Sequence, residues 1–300
     1  MEDFFISRRG QYLQMGSEFS GGNQTHLLHS DPGFEATIDI VPKGTVGCLY
    51  SRPTEDFEFN YILKGKLELF GAKEKTLLES GDTFTFYALK RNYMFRALED
   101  TEMLCIKKEP DYQEQADFVN HLNEVLSQLQ EADGDTLDHC ERVKSLSMGI
   151  AYYLRYDPSK LLSLFYAAKF HDVGKSKIPL EVLLKPGRLT AEEYEVMKAH
   201  SRYTNEMIRE YYGEEIALIA FDHHEKLDGT GYPRGLKGDQ ISMAARIICV
   251  ADAYDAMTVT RPYRKGLSRE DAMNELRRCE GTQFDGSVID ALERYLRENT

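Results

Sequence analysis

The sequence predicts an α+β multidomain chain: an N-terminal all-β barrel followed by an all-α helical domain. Three observations carry that expectation. Apolar residues recur in twos from about residue 34 to 108, they recur at helical spacing after Pro110, and 300 residues suit two domains of ordinary size better than one. At 42% hydrophobic and 29% charged, the chain has the means to build two cores.

In the first half, Phe34, Ala36, Ile38 and Ile40 alternate with Glu35, Thr37 and Asp39, the pattern of a half-buried strand. The alternation returns at Leu67 and Leu69, at Phe84 and Phe86, at Tyr93, Phe95 and Ala97, and around Met103 and Cys105. Pro42 to Gly44, Gly65, Gly71 and Gly81-Asp82 punctuate these runs as turns, and short strands so spaced fit a sandwich or barrel. The stretch EFNYILKGKLELF, followed by LLESGDTFTF, resembles the cupin family of small β-barrels over about residues 30–108. Many cupins hold a metal through a histidine pair ahead of a Glu and a later third histidine. Here YSRPTEDF, ahead of Glu58, has no histidine and Tyr93 stands in the later slot, so the resemblance implies a barrel without that metal. His26 and His29, further upstream, read as surface or capping residues. Residues 1–110 are thus expected to sense a small ligand or to mediate dimerisation.

Residues 111–300 form the expected helical domain, opening with a connecting helix over 111–132. Val119, Leu122, Leu126 and Leu129 make an apolar seam, open either to packing within the domain or to a dimer or signalling contact. Further helices are expected over 161–170, 191–200, 241–258 and 287–296, with capping boxes at Thr190/Glu193 and Ser268/Asp271.

Lys and Arg number 37 against 50 Asp and Glu, a net charge of −13, which argues against a binder of nucleic-acid polymers through a broad basic face. A small anionic substrate remains compatible, because metal ions and a few placed cations attract one locally. The five cysteines are scattered with no C-x-x-C pair and read as buried thiols of a reducing compartment. No apolar run approaches a membrane span, and MEDFFISRRG does not read as a signal peptide, so a cytoplasmic protein with no membrane contact is expected.

His139, His171, His200 and the pair His223-His224 fall in the helical half, each site about one helix and a turn from the next, with His121 as an outlier. A helical bundle can converge residues so spaced onto one interior site. Asp135 precedes His139 by four residues and shares its helical face, Asp172 follows His171, and Asp252 lies in VADAYD. Singly, such pairs have ordinary structural uses. Together, five imidazoles and three carboxylates exceed the needs of one ion with an open position. They suit two or more first-row ions, Fe, Mn or Zn, bridged by a carboxylate.

The segments HDVGKSKIP, KPGRLTAEEYEVMKAH, HHEKLDGTGYPRGL and ARIICVADAYDAMTVTRPYRKGLS, with the late GTQFD, resemble the HD-GYP family over about residues 120–298. Gly231-Tyr232-Pro233 separates that branch from the wider HD phosphohydrolases. The resemblance implies two or three divalent metal ions, iron or manganese, and hydrolysis of the second messenger cyclic di-GMP to pGpG or GMP. Carried over by position, the metal ligands are Asp135, His139, His171, Asp172, His200, His223, His224 and Asp252, with Asp172 as the bridge. Asp135 stands where some members use a Glu to hold a third ion. The full core set favours catalysis, with Asp172, Lys175 and Asp252 as catalytic residues, over a receptor that only binds cyclic di-GMP or a partner. Hydrolysis of another nucleotide, such as cyclic GMP-AMP, is the other alternative.

A phosphodiester is anionic and slow to react, so its hydrolysis needs charge neutralisation and an aligned hydroxide, which bridged divalent ions supply near neutral pH. Histidines bind metal only when neutral, so activity is expected to fall below about pH 6. Lys175, Arg261 and Arg264 are the expected phosphate contacts, the arginines having salt bridges to nearby acids as their other use. Asp255, three residues after Asp252, either contacts substrate or orients a ligand. Gly231, Tyr232 and Pro233 shape the substrate pocket or serve a partner. The barrel is expected to regulate the enzyme, by binding a small molecule or by fixing a homodimer.

Overall fold

A computed structural model of the chain describes residues 14–18, 24–49, 57–70, 75–87, 89, 93–108, 112–260 and 265–299, without the side chains of 14–18, 48 and 112–121. Arg261, Arg264, most of the YSRPTEDF segment and the side chains of Val119, His121 and Cys48 therefore lie outside the described residues. The chain divides into two compact units, Met1–Val119 and Asn120–Thr300.

The first unit is built from two antiparallel sheets. One carries, in spatial order, β1 (Gln14–Glu18), β2 (Gln24–Asp31), β3 (Phe34–Val41), β10 (Thr101–Lys107), β5 (Phe57–Lys64) and β8 (Thr83–Tyr87). The other orders β4 (Val46–Leu49), β9 (Tyr93–Ala97), β6 (Lys66–Phe70) and β7 (Lys75–Glu79). One core joins them: Val41, Ile62, Met103 and Cys105 from the first sheet meet Leu67, Leu78, Phe95 and Ala97 from the second.

The register corrects the facing of β3. Cys105 lies opposite Thr37 and Met103 opposite Asp39, so Glu35, Thr37, Asp39 and Val41 share the face of these core residues. Glu35 and Thr37 are accordingly buried, while Phe34 is 41% exposed. The Cys105 thiol donates to Asp39 Oδ2 at 3.3 Å, and Asn60 Nδ2 donates to Glu58 Oε1 at 3.0 Å. The interior is thus apolar at one end and polar at the other. His26 and His29 sit on β2 rather than at a cap: His26 is buried, and His29 pairs with Asp31 at 2.9 Å and stacks on Phe34 at 4.6 Å.

The second unit holds α1 (Tyr112–Asp133, from residue 120 on), α2 (Thr136–Leu154), α3 (Leu161–Phe170), α4 (Leu180–Leu183), α5 (Ala191–Tyr212), α6 (Glu214–Phe221), α7 (Met243–Thr258), α8 (Arg269–Arg278) and α9 (Gly286–Glu298). Leu122, Leu126 and Leu129 of α1 are buried within a single copy of the chain. Their seam therefore serves packing within the chain. α2 is the hub, lying against α3, α7 and α9, while α5 packs on α6.

The caps fix where these helices begin. Thr190 Oγ1 accepts from the Glu193 amide at 3.2 Å and Glu193 Oε2 from the Thr190 amide at 2.7 Å, the full reciprocal box. At α8 only half of the expected box forms. Ser268 accepts from the Asp271 amide, but Asp271, one methylene shorter than Glu, takes the Ser268 hydroxyl instead of the backbone amide. α7 starts at Met243, after Ile241, because Ser242 caps the Ala245 amide at 3.2 Å.

After α3 the chain makes a tight 3-10 turn, Val173–Lys177, pressed against α5. The buried Thr204 hydroxyl ties it down, accepting from the Gly174 amide at 2.9 Å and donating to the His171 carbonyl at 3.0 Å. Only glycine fits at 174, since a Cβ there would lie 2.2 Å from the His200 carbonyl oxygen and 2.4 Å from the Thr204 nitrogen. Gly174→Ala is therefore expected to destabilise the helical unit by about 1–3 kcal/mol, read as a lower midpoint in thermal unfolding at 222 nm. An unchanged midpoint would contradict this packing.

Candidate metal centre

Two helices, α2 and α5, and the turns after α3 and α6 deliver the histidines to one interior point. His139 comes from the first turn of α2, His171 and Asp172 from the end of α3, and His200 from the middle of α5. His223 and His224 follow α6, and Asp252 projects from α7. Ligand atoms of Asp172, His200, His223 and His224 lie within 4.8 Å of one another, as do those of His139, His171 and Asp172. Asp172 belongs to both groups. Its Oδ1 is 3.4 Å from His200 Nε2, and its Oδ2 is 3.5 Å from His171 Nε2 and 3.6 Å from His139 Nε2.

Each ring is oriented from behind. Nδ1 of His171, His200 and His223 lies 2.8, 2.7 and 2.6 Å from the carbonyl oxygens of Ala168, Met197 and Ala220. A carbonyl only accepts, so Nδ1 carries the proton and Nε2 presents a lone pair to the centre. His139 is held differently: its Nδ1 donates to Asp255 Oδ2 at 2.7 Å, and its Nε2 lies 3.2 Å from Asp252 Oδ1. The Nε2 atoms of His171 and His223 are buried without a hydrogen-bond partner. Lone pairs so desolvated and so aimed, around a shared carboxylate, fit first-row divalent ions.

The charges follow from the packing. Burial lowers His171 and His200, takes His223 well below its ordinary value and brings His224 down to about 3. Burial works against the charged form of His139 too, but Asp252 and Asp255 on its two sides push it up to about 9. Burial would raise Asp172, yet Lys175 and the surrounding rings hold it well below the usual carboxylate range. Lys175 Nζ lies 2.5 Å from Asp172 Oδ2 and is 24% exposed, at the opening of the centre.

Three of the expected site residues lie outside both ligand groups: Asp252, whose Oδ1 is 3.2 Å from His139 Nε2, Asp255 and Asp135. Asp255 is 3% exposed, with one oxygen on His139 and the other on Arg142 Nε at 2.6 Å, so the substrate contact expected of it is corrected to the orienting role. Asp135 is the cap residue before the first turn of α2, and its carbonyl accepts from the His139 amide at 2.8 Å. Its carboxylate pairs with Arg142 Nη2 at 3.0 Å, outside both ligand groups.

The loop after the histidine pair lies against the centre. The Tyr232 ring centroid is 4.7 Å from that of His224, and a Cβ on Gly231 would come within 2.4–2.6 Å of the Lys226 nitrogen, Glu225 Cα and the His224 carbonyl oxygen. Pro233 is on the loop's exposed side. Two buried acids missed in the sequence pin this loop. Glu225 accepts from the Arg234 and Leu236 amides at 2.6 and 2.9 Å, and Asp222 holds the Arg234 guanidinium through both oxygens. The only signal for them was nearness to His223-His224. Arg142, three residues after His139, gave none.

Two outcomes are expected of this centre. Stripped of metal, the protein should lose stability as the pH falls from 6.5. The unfolded chain takes up protons there that the depressed His171, His200, His223 and His224 resist, and for His224, brought down to about 3, the slope is about 1.4 kcal/mol per pH unit. His139, raised instead, contributes stability that is fully present below 6.5 and is lost only as the pH rises through about 9, so it does not oppose the acid trend. A midpoint flat between pH 7 and 5 in the chelator-treated protein would contradict this. Asp255→Asn should weaken metal binding about 10–100-fold, measured by competition with a chromogenic chelator.

A family model described as "HD domain" matches residues 114–288. The chain is 36% identical over 228 residues to a cyclic di-GMP phosphodiesterase of Thermotoga maritima, covering 70% of this chain and 61% of that protein. It is 37% identical over 164 residues to 3'3'-cGAMP-specific phosphodiesterase 1 of Vibrio cholerae, covering 53% and 37%. The chain thus spans about half the length of these curated relatives. Among solved structures, it is similar over 38% of its length to a RmlC-like cupin from Shewanella frigidimarina, at 15% identity, 96% of that chain and a TM-score of 0.31. With the HD model matched over more than half of its length and the Gly231-Tyr232-Pro233 loop against the histidine cluster, the chain belongs to the HD-domain family, in its HD-GYP branch.

Proposed function

We propose that this protein is a metal-dependent phosphodiesterase that hydrolyses cyclic di-GMP to pGpG or GMP. The observation that carries the reading is Asp172, whose two carboxylate oxygens face separate groups of imidazole Nε2 atoms. Divalent ions held there by His139, His171, Asp172, His200, His223, His224 and Asp252 would neutralise the phosphodiester and acidify a water. Two ions, iron or manganese, are the favoured count, because the carboxylate suited to a third, Asp135, is already paired with Arg142.

The chain's own residues supply the remainder. Lys175 places an ammonium beside Asp172 at the opening, where it meets a non-bridging phosphate oxygen. Burial pushes the Tyr232 phenol up, so it stays a neutral donor over the working pH range. The loop that carries it walls off one side of the centre, and Glu225 and Asp222 keep that wall from shifting. Arg261 and Arg264 remain proposed phosphate contacts.

The rest of the reading concerns the whole chain. We assign residues 1–110 to a regulatory cupin-like domain and 111–300 to the phosphohydrolase domain with its connecting helix. The polar end of the β interior, with Thr37, Asp39, Asn60 and Cys105, supports a small-molecule ligand there. Homodimerisation is the other proposed role of this domain. No helix among the described residues is long and apolar enough to cross a membrane, and Cys105, Cys140, Cys249 and Cys279 are free thiols, as a cytoplasmic protein would keep them.

The test is product analysis of cyclic di-GMP incubated anaerobically with iron- or manganese-loaded protein, beside Asp172→Ala. Formation of pGpG or GMP by the unmutated protein, with turnover near background in the variant, is expected. Full metal occupancy without turnover would overturn the reading. The similarity to a 3'3'-cGAMP-specific enzyme favours one competitor, so cyclic GMP-AMP is assayed in parallel.

A further inference from the structure

One aromatic side chain near the centre has no part in holding it. Tyr194, on the first turn of α5, is 48% exposed, and its neighbours Glu192 and Glu195 are exposed as well. Its ring is 6.4 Å from that of Tyr232 at 82°, and Tyr232 in turn is 4.7 Å from the His224 ring. Two ring-to-ring steps therefore lead from a proposed metal ligand to a water-exposed aromatic face. Lys198, one turn along the same helix, places its ammonium 5.6 Å from both tyrosine centroids and pairs with Glu195 at 2.6 Å. The ring pair is thereby held in place, and one face of Tyr194 is left to solvent.

A cyclic dinucleotide with one phosphodiester at Asp172 must put its bases beside the centre rather than in it. Bases gain most where they stack on a fixed aromatic face, and such stacking tolerates any base because each has a π-face. We propose that Tyr194, backed by Tyr232 and Lys198, is a nucleobase platform of this site, on which a purine of the substrate stacks. The inference rests on the phosphodiesterase reading and deepens it. It gives Tyr194 a share in affinity for nucleotide substrates generally, with no preference between guanine and adenine.

Kinetics of the metal-loaded protein on cyclic di-GMP, cyclic GMP-AMP and bis(p-nitrophenyl) phosphate test it, the last being a diester without a base. Tyr194→Ala should raise KM for both dinucleotides at least about fivefold more than for the baseless diester, and Tyr194→Phe, which keeps the face, should stay within about twofold. Equal losses on all three substrates would overturn the platform. The chain contains no tryptophan, so Tyr194→Trp introduces a single fluorophore. Its emission should be quenched by a phosphorothioate analogue of cyclic di-GMP and not by inorganic phosphate. Competitive inhibition by the analogue without quenching would sink the stacking contact. If the unmutated protein cleaves the baseless diester but neither dinucleotide, the substrate reading fails instead. Quenching of Tyr194→Trp by GMP then decides the platform independently.

Discussion

The Asp172 carboxylate is the constraint on which the helical unit is organised. It is buried, and a buried carboxylate is costly unless every oxygen is matched by a positive or donating group. Its partners arrive from three places in the fold: His139 on α2, His171 and Lys175 around the end of α3, and His200 on α5. The packing angles of those helices therefore fix the geometry of the centre, and a shift of any one is felt at the shared carboxylate. Gly174 and Thr204 show how tightly this is drawn. They press the Asp172 turn onto α5 at backbone contact, closer than any side chain would allow.

A second layer holds the first. Three imidazoles are set by carbonyl oxygens of their own helices three residues back, a contact that follows from placing a histidine just past a helical turn. His139, in the first turn of its helix, is set by Asp255 from α7 instead. Asp255 in turn is held by Arg142, and Arg142 by Asp135. The relay makes the His139 side of the centre dependent on the α2–α7 contact, while the His200 side depends on α5 and α6.

That difference explains what the sequence made legible. The imidazoles and Asp172 were readable because the chemistry of a shared site restricts which residue types can recur at those helix-length intervals. The choice between the two readings of Asp255, and the functions of Arg142 and Glu225, were not, because each acts across a tertiary contact that spacing does not encode: Asp255 and Arg142 are joined over 113 positions. The spacing of Asp135 to His139 does hold, since the Asp135 carbonyl accepts from the His139 amide, but its carboxylate pairs with Arg142 across the turn. In the β unit, period-two alternation identified strands but not which face is inside. In β3 the more polar set turns inward, where Thr37, Asp39 and Cys105 come together. Hydrophobic alternation predicts the reverse, and a barrel with a polar interior end is where that rule fails.

The electrostatics of the centre bind occupancy and substrate recognition into one problem. The chain carries a charge of −13, and around the histidines Asp172, Asp252, Asp255 and Asp135 outnumber Lys175, Arg142 and the raised His139. Arg142 is spent on Asp255 and Asp135, and Lys175 on Asp172, while His171, His200, His223 and His224 are kept neutral by burial. An anionic phosphodiester approaching these groups alone meets a field of its own sign. The same excess of carboxylate that repels the phosphate attracts divalent cations, and their charge reverses the sign of the field. Cation binding and phosphodiester binding must then be positively linked, each raising the affinity of the other by the same factor. Under the proposed reading, collected cations would therefore do most to draw an anion to a site of this composition, with Lys175 beside them.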